Sequence, residues 1–88
     1  MSKNSVIMIE VFATPHCRRC QGATQLVHAV AQELANDTLQ WREVNVIEEI
    51  DYAVRLGVIA TPAIAINGKL VFTSLPSKKK LKMHVQAL

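Results

Sequence analysis

The stretch VIMIEVFATPHCRRC, Val6 to Cys20, decides how the rest of the chain is read. Val6 to Ala13 is almost continuously apolar and rich in β-branched residues, the pattern of a central strand buried on both faces. Thr14, Pro15 and His16 break it. Apolar residues then fall at Cys20, Ala23, Leu26, Val27, Val30, Ala31 and Leu34, the three-and-four spacing of one helix face, so a helix starts at the two cysteines.

Outward from that unit, Asn36 and Asp37 end the helix, and Leu39 to Val46 reads as a second strand whose polar positions place it nearer a sheet edge. Ile47, Ile50, Ala53, Val54 and Leu56 predict a short second helix closed by Gly57. After the loop Val58 to Pro62, the apolar runs Ala63 to Ile66 and Leu70 to Thr73 flank Asn67-Gly68, a strong hairpin signal. Leu75-Pro76-Ser77 makes the last turn, with Ser77 capping a final helix whose apolar face is Leu81, Val85 and Leu88. The order is βαβαββα. Both helical crossovers are expected to join parallel strands and the tight turn an antiparallel pair. An α/β fold follows, with a mixed four-stranded sheet and helices on both faces.

A chain of 88 residues is sized for one domain over residues 1–88, and with 50% hydrophobic and 19% charged residues it is expected to fold alone rather than remain disordered. No apolar run approaches the roughly 20 residues that span a bilayer, and Met1-Ser2-Lys3-Asn4-Ser5 leads into the first strand without the form of a signal peptide. The expectation is a soluble cytoplasmic protein without a membrane partner. The net charge of +3 is unevenly placed: residues 1–68 carry five Lys/Arg against seven Asp/Glu, and residues 69–88 carry five Lys and no acid. Basicity confined to one end, with aromatic residues at 5%, does not make the interleaved surface that stacks bases, so no nucleic-acid partner is expected. Lys78, Lys79, Lys80 and Lys82 read as a solvated face, with docking to an acidic protein as the alternative.

Cys17 and Cys20 are the only cysteines. A disulfide closing so short a loop contributes about 2 kcal/mol, a weak staple, so the spacing points to redox chemistry or metal binding. Taken with its setting, Pro15-His16-Cys17-Arg18-Arg19-Cys20 directly after strand one and Thr61-Pro62 directly before strand three, the chain resembles the thioredoxin/glutaredoxin superfamily over essentially its whole length. It is most similar to the short, glutaredoxin-sized thioredoxin-like proteins. That resemblance implies a thiol–disulfide oxidoreductase whose Cys17/Cys20 couple exchanges electrons with protein disulfides, with no added cofactor and no metal. It implies a monomer re-reduced by a reductase or dithiol donor, or else by glutathione. It also implies that Pro62 is cis and faces the cysteines, and that the Thr61 backbone pairs with bound substrate. Pro15 and His16 border the same surface.

The chemistry can be stated from the residues as well. Exchange needs a thiolate, and a free cysteine, with a pKa of about 8.5, is mostly protonated at neutral pH. At a helix N-terminus the unpaired N–H groups and the macrodipole favour the anion by about 0.3–2 kcal/mol, which draws the Cys17 pKa toward neutrality. Arg18 and Arg19 add positive charge in the same sense. Cys17 sits at the helix mouth and Cys20 one turn inside, so Cys17 is read as the attacking thiol and Cys20 as the resolving one.

Three features depart from the family pattern. Val11 stands where most thioredoxins carry a buried Asp, with Glu43 on strand two a candidate to approach that region. His16 replaces the usual tryptophan. Phe72-Thr73-Ser74-Leu75 replaces the Gly-Gly pair with which glutaredoxins hold glutathione, which favours a dithiol donor. The rival function is a Cys-x-x-Cys copper carrier. Its fold would continue strand to strand after the first helix, whereas this chain runs strand to helix.

Overall fold

The computed structural model describes residues 6–34 and 38–88. The readings of residues 1–5 and of Asn36 and Asp37 lie outside the described residues. Within them run β1 (Ile7–Ala13), α1 (Arg18–Leu34), β2 (Leu39–Asn45), α2 (Ile50–Leu56), β3 (Ala63–Ile66), β4 (Lys69–Phe72) and α3 (Lys78–Gln86). The strands form one sheet in the order β2-β1-β3-β4. β1 is central and buried from Ile9 to Ala13, and β2 takes an edge.

β1 and β2 are parallel, as a helical crossover dictates, but β3 runs antiparallel to β1 and therefore to β2. The expectation that the second crossover also joins parallel strands is thus corrected. α2 has seven residues and carries the chain from one side of β1 to the other at the same end of the sheet, so β3 starts where β2 stops. Parallel β3 would require a connection long enough to return to the opposite end.

Side chains alternate between two cores. Ile9, Val11, Ile64 and Ile66 meet Ala23, Val27 and Val30 of α1 and Leu81 and Val85 of α3 on one face. Phe12, Ala63, Ala65 and Val44 meet Ala53 of α2, with Tyr52 and Leu56 packed alongside, on the other. The α2 stripe differs from its periodic reading. Ile47, Ile50 and Val54 are exposed, because so short a helix presents one inward row, and that row runs through Tyr52, Ala53 and Leu56. Ile47 precedes the helix in a turn closed by Asn45 Oδ1, which accepts from its N–H at 2.9 Å. Leu88 likewise lies past the end of α3 and is exposed rather than on the buried face.

The terminal signals act as local chemistry predicts. Gly57 adopts φ +92° and donates to the Ala53 and Val54 carbonyls, closing α2. Asn67 and Gly68 have φ +53° and +80°, the two left-handed residues of a type I′ hairpin. Ser77 Oγ accepts from Lys80 N–H at 3.2 Å and caps α3. Among the described residues no helix is long and apolar enough to cross a membrane.

One polar group lies inside the second core. Glu10, 5% exposed in the middle of β1, faces Arg42 across the parallel pair. Its carboxylate accepts from Arg42 Nε at 2.9 Å and Nη2 at 2.8 Å, and from the Tyr52 hydroxyl. Arg42 also pairs with Glu49 at 3.4 Å. The hydrogen bond from Arg42 to Glu10 and the Glu10 charge raise the Arg42 pKa above its ordinary value, and burial followed by the Tyr52 hydroxyl's own hydrogen bond to Glu10 raises Tyr52. The network joins β1, β2 and α2.

Candidate active site

Cys17 stands directly before α1 and Cys20 at the third position inside it, and the two are joined in a disulfide with their Cα atoms 5.3 Å apart. Cys20 is 2% exposed and continues the buried row Ala23, Val27 and Val30, whereas Cys17 is half-buried at the helix mouth. The Cys17 Sγ accepts the Cys20 backbone N–H at 3.2 Å. It thereby occupies the place of an N-cap oxygen, and one otherwise unpaired helix donor points at the sulfur.

A second donor reaches it from the sheet. Thr61 Oγ1 lies 3.8 Å from Cys17 Sγ and donates to it. The Thr61-Pro62 peptide is cis, with Pro62 buried and Thr61 half-buried at the entrance to β3. Thr61 Oγ1 is also 3.3 Å from Thr14 Oγ1, at the exit of β1. The fold thus brings Thr61-Pro62 to the cysteines across 44 residues of sequence. Thr14 is a contact the sequence reading did not single out. Its signal was present in the strand register, which becomes visible only once β1 and β3 are known to be antiparallel neighbours.

Around the sulfur, His16, Cys17, Arg18 and Gln21 line an open depression of about 350 Å³. His16 has φ +66°, a left-handed conformation that lets the four residues Thr14 to Cys17 turn the chain from β1 into α1. Arg18 and Arg19 are both exposed. Pro15 is exposed and lines a neighbouring hollow of about 210 Å³ with Ala13, Thr14, Glu43 and Asn45. Glu43 is opposite Val11 in the β1–β2 pairing, and its Oε2 accepts from Thr24 Oγ1 of α1 at 3.1 Å. It is exposed there, so the fully buried Val11 has no buried carboxylate beside it on that pair.

On the other side of Thr61-Pro62, Val58, Ile59, Ala60, Ala63 and Leu70 contribute to a mostly apolar hollow of about 250 Å³. Ile59 is 97% exposed at its lip. The resulting surface has a sulfur with two fixed donors, an apolar flank and a cationic flank. It can stabilise a thiolate in the reduced state and seat an extended segment beside it.

The thioredoxin-domain profile matches residues 7–86. A thioredoxin of Methanocaldococcus jannaschii is 36% identical over 77 residues, covering 88% of this chain and 89% of the relative. A probable thioredoxin of Methanothermobacter thermautotrophicus is 34% identical over 76 residues, covering 86% and 88%. Among solved structures, a protein disulfide oxidoreductase of Aeropyrum pernix superposes with TM-score 0.80 at 32% identity, over 93% of this chain and 37% of that one. A mutant thioredoxin of Halobacterium salinarum superposes with TM-score 0.79 at 19% identity, over 96% and 75%, a likeness of fold alone.

Proposed function

The chain belongs to the thioredoxin-domain family and is a thiol–disulfide oxidoreductase, and within that activity we propose that Cys17 attacks and Cys20 resolves. The observation that carries this assignment is the asymmetry of the pair: Cys17 Sγ is reachable and accepts two hydrogen bonds, whereas Cys20 is 2% exposed. The Cys17 thiolate attacks one sulfur of a substrate protein disulfide. That S–S bond breaks, its other sulfur leaves as a thiolate and takes up a proton, and a mixed disulfide joins Cys17 to the substrate. Cys20, losing its own proton, then attacks Cys17 Sγ. The second substrate thiol is released and the protein is left with the Cys17–Cys20 disulfide.

The substrate disulfide has gained two electrons and two protons, and a reductase returns them to the cysteine pair. The redox group is that pair itself. Thr61 presents its backbone to an extended substrate segment, with Pro62 behind it and Pro15 and His16 at the rim. Arg18 and Arg19 favour the Cys17 thiolate through their charge. A flavoprotein reductase or a partner dithiol is the electron donor rather than glutathione, because Phe72-Thr73-Ser74-Leu75 supplies bulk where a glutathione site needs glycines. The single domain of residues 1–88 acts as a cytoplasmic monomer.

The assignment is tested with two variants. Cys17→Ser is expected to abolish reduction of insulin disulfides, and Cys20→Ser to accumulate a covalent complex with substrate through Cys17, seen by mass spectrometry. Turnover retained by Cys20→Ser with no adduct at Cys17 would reverse the roles.

A further inference from the structure

β1 and β3 are antiparallel, with Ile9 opposite Ile66, Glu10 opposite Ala65, Val11 opposite Ile64 and Phe12 opposite Ala63. Continued two residues past the end of the ladder, that register puts Thr14 opposite Thr61. Their hydroxyls meet at 3.3 Å, a cross-strand threonine pair. Thr61 Oγ1 continues to Cys17 Sγ at 3.8 Å, so three side chains form one line from the β1 exit to the sulfur. Both threonines are half-buried, which limits the water that can compete for their protons.

Each hydroxyl has one proton to give and two lone pairs to offer. The pair Thr14–Thr61 uses one proton, and the contact Thr61–Cys17 uses another, since a disulfide sulfur or a thiolate only accepts. Both contacts are made together in one arrangement: Thr14 donates to Thr61, and Thr61 donates to Cys17. In the reverse arrangement Thr61 spends its proton on Thr14 and turns a lone pair toward the sulfur.

We propose that Thr14 is a positioning residue for the nucleophile, because by donating to Thr61 it keeps the single Thr61 proton directed at Cys17 Sγ. The inference rests on the reading of Cys17 as the attacking thiol. A thiolate is a far stronger acceptor than a disulfide sulfur, so the chain of donors strengthens when Cys17 is reduced and ionised, and each bond polarises the next. Thr14 therefore favours the reactive form without touching it. The charged and titratable side chains around Cys17 are His16 and Arg18, which line the same depression, Arg19 in the first turn of α1, and Cys20. From the β1–β3 side the Thr61 hydroxyl reaches the sulfur with Thr14 behind it, and the charged side chain nearest Thr14 there is Glu43, which lines the neighbouring hollow.

The experiment is iodoacetamide alkylation of the reduced protein between about pH 5 and 10, with the labelled cysteine identified by peptide mass. It compares wild type, Thr14→Val, Thr14→Ser, Thr61→Val and the double valine variant. Thr14→Val is expected to slow Cys17 alkylation at neutral pH by about fivefold and to move its midpoint upward, leaving the alkaline plateau in place. Thr14→Ser restores the wild-type midpoint because it keeps the hydroxyl. In the Thr61→Val background, Thr14→Val adds nothing, since no proton remains to be directed. A Thr14→Val midpoint equal to wild type, or effects of the two valines that simply add, overturns the role of Thr14 while leaving Cys17 as the nucleophile. Wild-type alkylation at Cys20 ahead of Cys17 overturns the nucleophile assignment, and this proposal with it.

Discussion

At the scale of single residues, Cys17 is surrounded by two kinds of positive influence that differ in physical character. The Cys20 N–H and the Thr61 hydroxyl are dipoles at 3.2 and 3.8 Å, aimed at the sulfur by the first turn of α1 and by the bend that leads into β3. Arg18 and Arg19 are full charges, but they are exposed, and solvent and salt weaken interactions between such groups. Removing an arginine is therefore expected to matter less than removing a directed donor, and to matter less still in salt. Arg18→Ala and Arg19→Ala should each raise the midpoint of the Cys17 thiolate absorbance titration in dilute buffer. The difference from wild type should largely vanish at about 1 M salt, where the Debye length is about 3 Å. A shift that persists in full would mean that the guanidinium group bonds the sulfur directly.

At the scale of elements, α2 shows how a polar group selects a helix face. Ile50 and Val54 are more hydrophobic than Tyr52, yet Tyr52 faces the sheet because its hydroxyl satisfies the buried carboxylate of Glu10. This contact carries a pH signature. Tyr52 has its pKa raised in the folded protein, mainly by burial and then by Glu10, so the folded state keeps a proton that the unfolded chain gives up near pH 10. The stabilisation is complete below about pH 10 and is lost as pH rises from there through the raised folded value. Tyr52→Phe is expected to be less stable at neutral pH, because a Glu10 oxygen loses its donor, and to show a shallower fall of stability above about pH 10. Urea midpoints across that range measure both effects. Parallel curves for the two proteins would contradict the assignment.

At the scale of the whole molecule, two cores on opposite faces of a narrow sheet hold the site in register. α1 carries the cysteines and is fastened to α3 by Leu81 and Val85 in the first core and by Lys78 and Lys82, which both pair with Glu33. Three further lysines, Lys69, Lys79 and Lys80, bring no acid with them within residues 69–88, and since the rest of the chain balances seven Lys/Arg against seven Asp/Glu, they account for its net charge of +3. The surface pairs contribute little beside the apolar contacts. Leu81 is fully buried between α1 and the sheet, so Leu81→Ala should cost about 2–5 kcal/mol of unfolding free energy. Urea denaturation measures it. A loss well under 1 kcal/mol would show that α3 is not part of the cooperative core.

Much of this protein is decided locally and is therefore legible along the chain. The β1 run, the α1 stripe, Gly57, Asn67-Gly68 and Ser77 each act through their own backbone or through neighbours within a turn, and each is found in the role its residue type predicts. The cysteine pair is legible for the same reason, since three residues and one helix start define it. Strand direction beyond the first crossover is not local. The antiparallel setting of β3 depends on where a seven-residue helix can deliver the chain, and that setting creates the Thr14–Thr61 pair. The inward face of α2 depends likewise on Glu10, 42 residues from Tyr52, because a buried carboxylate must find its donors wherever the fold brings them.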